Sequence, residues 1–392
     1  MAGTDHKQRA HALLSASGAS RWINCTPSPR IEEKFKEKPS SSFAEEGTLA
    51  HEFGDIGLRV ISGQMPKKDY NKELKVLHAH ELYTPEMTVE VQKYIDFVME
   101  EFMVANKATD GGALLLIEQK VDLTEYIPDG FGTNDAIIIA DGVLRVYDLK
   151  YGKGICVMAD DNPQLKLYGL GALLEHELAY DFDQVELGII QPRLDHVSTW
   201  RISAEDLIAW GETVVKPRAK EAFAGEGVCN PGDWCRWCKA KARCKALADQ
   251  NLAIAKHEFA DPKLLTDDQV LEVFNQIPEL TSWANAVGDF ILGEALEGKV
   301  WEGYKLVEGR SNRKWSDDKA VFEFLKTRYP LGEISENKLL PIGKMEKFLT
   351  KKVFENILGQ MVIKPQGKPT LVDQADKRPA LGIAQAKEDF KS

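Results

Sequence analysis

Residues 135–150 read DAIIIADGVLRVYDLK and decide the fold. Two runs rich in branched apolar residues, Asp135–Ala140 and Val143–Leu149, flank Asp141-Gly142, a dipeptide typical of a tight hairpin turn. A third run, ALLLIEQKV at 113–121, precedes them and alternates between apolar and polar residues in its second half. The pattern predicts a compact β region built around a hairpin.

Helical spacing of apolar residues predicts helices before and after this β region. The Pro-, Lys- and Ser-rich stretch Pro27–Ser42 predicts an exposed loop, and a charged stretch between the first two long helices predicts another. This order predicts an α/β fold in which a mixed sheet is flanked by helices. The predicted helices are Phe43–Ile61, Pro85–Lys107, Asn162–Glu177 and Ser203 to about Phe223, and the further strands are Val185–Pro192 and Val197–Ile202.

The chain has 392 residues, 43% of them hydrophobic, which is enough for a full core and two domains. Its net charge is -11, yet residues 301–392 hold 18 Lys and Arg against 13 Asp and Glu. A local basic strip suffices for phosphate contacts, so the overall charge does not exclude DNA. We predict a catalytic domain at 10–250, a helical connector at 251–298 and a small basic α+β domain at 299–392.

The sequence contains no run of eighteen apolar residues, so we expect no membrane span. Residues 1–12 are polar and do not resemble a secretory signal, which favours a cytoplasmic protein. A phosphate-binding loop of the Gly-x4-Gly-Lys-Ser/Thr type is also missing from the sequence. Any associated motor is therefore expected on another chain.

Two carboxylates lie near facing ends of the predicted hairpin. Asp135 opens one strand, and Asp148 closes the other shortly before Lys150. Mg²⁺ and Mn²⁺ prefer oxygen ligands, and two aspartates on adjacent strands supply them. Lys150 projects from the same strand face as Asp148 and is placed to orient a water and offset negative charge.

Three neighbours strengthen this site beyond the common Asp-x-Lys pattern. Gln164 and Tyr168 lie one helical turn apart and share a helix face. His51 lies on an early helix in the sequence GTLAHE. Glu118, on the preceding strand, is interpreted as a structural or surface residue.

The ordered series Gly47-x3-His51, Gly132-x2-Asp135, Asp148-x-Lys150 and Gln164-x3-Tyr168 resembles the RecB-like branch of the PD-(D/E)xK nucleases. The resemblance covers about residues 10–250 and implies a restriction-endonuclease-like fold. It implies that His51, Asp135 and Asp148 bind Mg²⁺ or Mn²⁺, that Lys150 is the catalytic lysine, and that Gln164 and Tyr168 support the site. The implied activity is hydrolysis of DNA phosphodiesters, by an exonuclease more than an endonuclease, in phage recombination or DNA processing.

Six cysteines are present, and Cys229, Cys235, Cys238 and Cys244 lie within 16 residues of one another. In a cytoplasmic chain such crowding indicates a metal site more than disulfides. These four thiols suffice for a structural zinc, whereas Cys25 is an alternative fourth ligand.

The arrangement of Cys25 before the fold and Cys235, Cys238 and Cys244 after it resembles the iron–sulfur RecB-like nucleases. Those include the AddB nuclease domain and certain CRISPR adaptation nucleases. The resemblance implies a [4Fe–4S] cluster on these four cysteines. Cys229 is then a spare thiol. The two neighbouring tryptophans, Trp234 and Trp237, are interpreted as a shield for the cluster or as core residues, and Cys156 as an inert thiol.

Arg310, Arg313 and Lys314 lie beside an aromatic residue in EGRSNRKW at 308–315. This combination either grips phosphates and stacks a base or forms a solvated sheet edge. The whole chain resembles a phage- or prophage-type family with a C-terminal extension. A recombinase or single-strand-annealing protein is a further expected partner. Two alternatives remain: a non-catalytic DNA-binding adaptor on a nuclease fold, and a zinc-containing structural phage protein.

Overall fold

The computed structural model of the protein describes residues 12–35, 41–254 and 266–296, together with 299, 301–302 and 350–352. The chain divides into two compact units, Met1–Leu306 and Val307–Ser392. The second unit, and with it the predicted contacts of Arg310, Arg313 and Lys314, lies almost entirely outside the described residues. The domain boundaries at 250 and 298 therefore stay predictions. Within the described ranges, no helix is both long enough and apolar enough to cross a membrane.

A five-stranded mixed sheet forms the centre of the first unit, and its spatial order follows the chain order. The β1–β2, β2–β3 and β4–β5 pairs are antiparallel, whereas β3 and β4 are parallel. Parallel neighbours need a crossover connection, which a helix between β3 and β4 provides. The strands are β1 (Leu114–Asp122), β2 (Phe131–Ile139), β3 (Gly142–Leu149), β4 (Phe182–Gln191) and β5 (His196–Ser203).

Side-chain caps begin several of the helices where the sequence predicts them to begin. Asn162 accepts hydrogen bonds from the backbone N–H groups of Gln164 and Leu165, and Pro163 occupies the first turn of the crossover helix. The α-helices of the described residues are α1 (Ala19–Asn24), α2 (Ser28–Glu32), α3 (Ser42–Ile61), α4 (Lys67–His78), α5 (Pro85–Ala108), α6 (Pro163–His176), α7 (Ala204–Trp210), α8 (Lys216–Ala224), α9 (Lys245–Ile254) and α10 (Asp267–Leu296). A π-helical turn, Gly211–Val215, joins α7 to α8.

Two buried clusters cover the two faces of the sheet. One contains residues of α6, α7 and α8 together with Leu14 and Trp22 from the start of the described chain. The other contains residues of α3 and α5 and one residue of α4, Leu77. The mixed sheet flanked by helices is therefore confirmed, and both sheet faces are shielded from water.

Two of the predicted loops are wrong. Ser28–Glu32 forms α2, in which Ser28, Pro29 and Glu32 are buried. The charged stretch after α3 contains α4, a helix of 12 residues with a single buried residue, Leu77. Composition predicted loops in both places because it does not show what stabilises a short polar helix. Contacts with distant parts of the chain stabilise α2, and a narrow apolar stripe stabilises α4.

Candidate functional site

The hairpin strands β2 and β3 separate at the end that carries the acidic pattern Asp-x-Lys. Their backbone pairing runs from Ile138↔Arg145 to Ala136↔Tyr147, so the next residues in register are Asp135 and Asp148. No ladder pair forms between these two described residues; instead the Leu149 N–H donates to Oδ2 of Asp135 at 2.6 Å. This side chain to backbone bond connects the two strands where their ladder ends, and we call this end of the hairpin, where the acidic side chains gather, the cleft.

On one side of this cleft, His51, Glu118 and Asp135 offer ligand atoms that all lie within 4.8 Å of one another. His51 extends from α3, and its Nδ1 lies 2.8 Å from Oδ1 of Asp135. Its side chain is 33% exposed, so a cation can enter from solvent. Two carboxylates and an imidazole suit a divalent cation that keeps further positions for water or substrate.

On the other side, Lys150 and Asp148 form an ion pair of 2.8 Å. Gln164 on α6 connects them, since Lys150 Nζ donates to Gln164 Oε1 at 3.3 Å and Gln164 Nε2 donates to Asp148 Oδ1 at 3.1 Å. Gln164 Nε2 also lies 3.2 Å from the Tyr168 hydroxyl. The predicted set of His51, Asp135, Asp148, Lys150, Gln164 and Tyr168 is thus brought together in one place.

Glycine at position 132 lets Tyr168 lie against β2. A Cβ atom there would come within 2.6 Å of Tyr168 Cε1 and 3.6 Å of Ala16 Cβ. At Gly47, the other glycine of the ordered series, no atom of the described chain lies within 4 Å of the place that a Cβ would take. Gly132 therefore has a steric role at the site, whereas Gly47 has none in this structure.

Burial and the charges of the cleft raise the pKa values of three of its members, His51, Glu118 and Lys150. Although burial lowers the pKa of His51, attraction to Asp135 outweighs it and raises that pKa from 6.5 to about 9. Burial and repulsion from Asp135 raise the pKa of Glu118 from 4.5 to about 7. Burial also opposes the charge of Lys150, but Asp148 raises the lysine pKa above its usual range. The ion pair therefore favours the protonated, positively charged form of Lys150, which donates hydrogen bonds and is not a base.

Glu118, which the sequence led us to interpret as a structural or surface residue, lies with His51 and Asp135 in the candidate cation-binding group. It has a backbone φ of 49° in the middle of β1, in the left-handed region. The register places it opposite Asp135, between Ile117↔Ala136 and Gln119↔Asn134. The alternation of ALLLIEQKV is lost at this position, which was the one available signal.

Tyr94 of α5 also lies near the site, although the sequence did not predict a role for it there. Its hydroxyl is buried and has no hydrogen-bond partner among the described residues. Burial and the charges of Asp135 and Asp148 raise its pKa well above 10. A neutral hydroxyl near the cleft is therefore available to a water or ligand that enters it.

The cysteines on both sides of the fold meet in a second place, a cavity of about 410 Å³. Cys25 follows α1, and the others follow α8 along the chain. The described thiols that line the cavity are Cys25, Cys229, Cys235, Cys238 and Cys244. No three of these described sulfur atoms lie within 4.8 Å of one another. Five thiols of the described chain are thus gathered at one cavity.

Two expectations about this cavity change. Cys229 is not set apart as a spare thiol, because it lines the cavity in contact with Cys25 and Cys244, and burial together with these two thiols raises its pKa to about 11. Trp234 lines the cavity, but Trp237 does not and is 69% exposed. Trp237 is therefore no shield. Cys156 is exposed and lies outside this cavity.

Fold and sites together define an α/β protein with a candidate divalent-cation site and a separate thiol-lined cavity. The chain matches the family described as "Protein of unknown function (DUF2800)" over residues 11–379, and it belongs to that family. The solved structure titled "Crystal structure of SSO0001" matches 58% of this chain and 96% of its own, at 13% identity and a TM-score of 0.23. A likeness that distant supports no argument.

Proposed function

We propose that the protein is a divalent-cation-dependent nuclease that hydrolyses DNA phosphodiesters. The supporting observation is the end of the β2–β3 hairpin, where a candidate cation-binding group lies close to the ion pair of Lys150 with the buried Asp148. His51, Glu118 and Asp135 are the proposed cation ligands, with Asp148 beside them. When bound, Mg²⁺ or Mn²⁺ polarises the phosphodiester and lowers the pKa of a water.

The residues of the chain perform the other steps. Lys150 carries a positive charge and three N–H donors, so it orients the attacking water and offsets charge that develops on the phosphate. Gln164 holds both Lys150 and Asp148 by hydrogen bonds, which keeps the lysine aimed at the cleft. Tyr168 in turn bonds to Gln164 and fixes its amide.

The finer features of the activity rest on the resemblance to RecB-like nucleases alone. We propose DNA as the substrate, exonuclease more than endonuclease action, and a role in phage recombination or DNA processing in the cytoplasm of a bacterial host. A recombinase or single-strand-annealing protein is the proposed partner.

Digestion of end-labelled linear DNA and of circular DNA with Mg²⁺ or Mn²⁺ tests the activity. We expect Lys150→Met to lower the turnover number about 10²–10³-fold, as loss of one transition-state donor does in other enzymes. Lys153→Met is the matched control, since Lys153 lies three residues away, is 49% exposed and pairs with Glu86. If wild-type protein cuts neither substrate, or both variants behave alike, the catalytic assignment fails.

We also propose a [4Fe–4S] cluster in the thiol-lined cavity. Four thiolates are the usual ligands of such a cluster, and Cys25, Cys235, Cys238 and Cys244 supply them. The cavity of about 410 Å³ that these thiols line has room for a group larger than one ion. When bound, the cluster cross-links the two ends of the nuclease fold.

Iron content and visible absorption of anaerobically purified protein test the cluster. Cys25→Ser should remove both, and Cys156→Ser, which changes an exposed thiol outside the cavity, should change neither. Cys229→Ser should retain iron if the four-cysteine assignment is right. Colourless protein that contains zinc would contradict the proposal.

A further inference from the structure

The segment between the cavity cysteines carries a concentration of positive charge. Residues 233–245 read DWCRWCKAKARCK and hold five Lys and Arg but a single acid, in a chain whose net charge is -11. None of these Lys and Arg side chains has a role in the proposed nuclease site, and the proposed cluster takes only the cysteines of this segment.

The structure exposes most of this charge together with an aromatic ring. Arg236, Trp237 and Arg243 are all exposed, and the Trp237 side chain is 69% accessible. The Arg236 guanidinium lies 5.5 Å from the centre of the Trp237 ring. Lys241 donates to the Arg236 carbonyl at 2.9 Å, which fixes the backbone of the turn. The Trp237 indole, with the Arg236 guanidinium close to its ring, is therefore exposed to solvent. The Lys241 hydrogen bond holds the backbone beneath it in place.

This surface is linked to the candidate active site through packed elements. The 3₁₀ turn of Asp233–Trp237 contacts α1, and α1 contacts α6, the helix that carries Gln164 and Tyr168. The turn at Ala16–Gly18 also packs on α6. One helix, α1, therefore connects the turn that carries Trp237 to the helix that carries Gln164 and Tyr168.

We propose that Trp237, Arg236 and Arg243 form a binding surface for single-stranded DNA, on which one base stacks on the Trp237 indole. This rests on the proposed nuclease function for its place in the reaction, although binding is measured without cleavage. Basic grooves with exposed aromatic rings bind single strands because every base has a face to stack. The two 3₁₀ turns here, Asp233–Trp237 and Lys241–Arg243, are too short to fill a major groove, so duplex is the less suitable occupant.

Fluorescence anisotropy with a labelled poly-dT oligonucleotide in EDTA tests this proposal on the full-length protein. We expect Trp237→Ala to weaken binding at least about fivefold, the lower end of what loss of one base–aromatic stack causes. Trp237→Phe should retain most of the affinity. Phe43→Ala is the matched control, since Phe43 is 82% exposed on another part of the fold.

Salt dependence tests the cations separately. Replacing Arg236 and Arg243 with Ala removes two phosphate contacts, so the slope of log affinity against log salt should fall by about 1.4 for a single strand. The double replacement of Lys72 and Lys75 with Ala, on the exposed side of α4, should leave the slope unchanged. Iron content and thermal unfolding of each variant exclude damage to the cavity.

Unchanged affinity for poly-dT in Trp237→Ala would overturn the proposal, as would wild-type protein that binds duplex as tightly as poly-dT. Failure of the nuclease assignment has a different signature. In that case wild-type protein cuts no DNA, yet its binding of poly-dT still depends on Trp237 and on the two arginines.

Discussion

At the scale of single residues, the backbone of Glu118 is the most informative feature of the site. A non-glycine residue in the left-handed region costs about 1–3 kcal/mol and persists only where its surroundings hold it there. The φ of 49° at Glu118 also changes which side chains of β1 point to each face of the sheet. Ile117 and Val121 would share a face in a regular strand, but Ile117 packs into the cluster with α3 and Val121 into the cluster with α6. The local strain thus places a carboxylate beside Asp135 while both halves of the strand stay buried.

Glu118 and His51 make the stability of the cation-free protein depend on pH. Both have a folded-state pKa above the ordinary value, about 7 against 4.5 and about 9 against 6.5. The folded state therefore binds protons more tightly than the unfolded state, and stability falls as pH rises from about 5 to 9. Thermal unfolding in EDTA checks this expectation.

Glu118→Gln should flatten the lower part of this profile, between about pH 5 and 7, because it removes the acid that must ionise. Glu125→Gln, at a carboxylate that is 60% exposed, should leave the profile as it is. Added Mn²⁺ should raise the melting temperature more at about pH 8 than at about pH 6, since protons compete with the cation. A profile equally steep in Glu118→Gln would show that another group is responsible.

Gly132→Ala should destabilise the protein by about 1–3 kcal/mol and lower its activity, because the added methyl group collides with the Tyr168 ring. Displacing Tyr168 also loosens Gln164 and with it Lys150. Gly47→Ala is the contrast: it adds a methyl group where nothing described lies within 4 Å, in the interior of α3. It should stabilise the helix by about 0.5–1 kcal/mol. Denaturant unfolding and turnover measurements compare the two variants.

At the scale of elements, the connection from β3 to α6 is held by side chains of the next two strands. Gln191 is 1% exposed, and its side chain forms two hydrogen bonds with the backbone of the loop. It accepts from Val157 N–H at 2.7 Å and donates to the Ile155 carbonyl at 2.8 Å. Ser198 accepts from Ala159 N–H at 3.0 Å. Two buried polar residues thus define the loop that joins Lys150 to Gln164 along the chain.

Gln191→Leu should release this loop and leave two backbone groups without partners, at a cost of about 1–3 kcal/mol each where they stay buried. The exposed thiol of Cys156 lies within the loop and reports on it. We expect faster alkylation of Cys156 at low reagent concentration and a lower turnover number in the variant. Gln92→Leu, at an exposed glutamine of α5, is the control. Equal alkylation rates would contradict the anchoring role.

Elements that depend on neighbours along the chain were predictable from the sequence. The β2–β3 hairpin, its Asp141-Gly142 turn and the caps of α6 and α7 follow from local patterns, and the structure confirms them. Gly142 has a φ of 83°, as the turn requires. The meeting of Asp135, Asp148 and Lys150 follows from the same hairpin.

Features that depend on distant partners were not predictable. The helix α2 forms because Arg30 and Glu32 contact residues near the other end of the fold, a relation that composition does not encode. Glu118 enters the site through a left-handed backbone, which no residue type other than Gly or Asn announces. The exposure of Trp237 is decided by the cavity geometry and not by its neighbours in sequence.

At the scale of the whole molecule, hydrogen bonds tie the start of the described chain to the region before the cysteines. Thr26 Oγ1 donates to the Glu226 carbonyl at 2.7 Å across 200 residues, and Arg30 Nε donates to the Phe223 carbonyl at 2.7 Å. Glu32 accepts from Lys239 N–H at 2.7 Å and pairs with Arg21 at 2.9 Å. These contacts therefore hold the two ends of the fold together, and their contribution to stability does not depend on any cluster.

Thr26→Val should lower the free energy of unfolding by about 0.5–1.5 kcal/mol, because the hydrogen bond from the buried Thr26 side chain to the Glu226 carbonyl is lost. The effect should persist after iron is removed by a chelator, whereas Cys25→Ser should add nothing further once iron is gone. Thr213→Val, on the exposed side of the α7–α8 helix, is the control. If iron removal abolishes the effect of Thr26→Val, the hydrogen bond and the cluster do not contribute independently to stability.

The sheet order has a consequence for biosynthesis. Each strand pairs with the one made just before it, so β1 to β5 can assemble as they leave the ribosome. The segment that carries Cys25 packs on α6, but Thr26 reaches its hydrogen-bond partner only when Glu226 is made, 200 residues later. At about 5–20 residues per second that wait lasts about 10–40 s. The thiol-lined cavity therefore closes only after all five strands of the sheet have been made, so any group that it receives enters a chain whose sheet can already have formed.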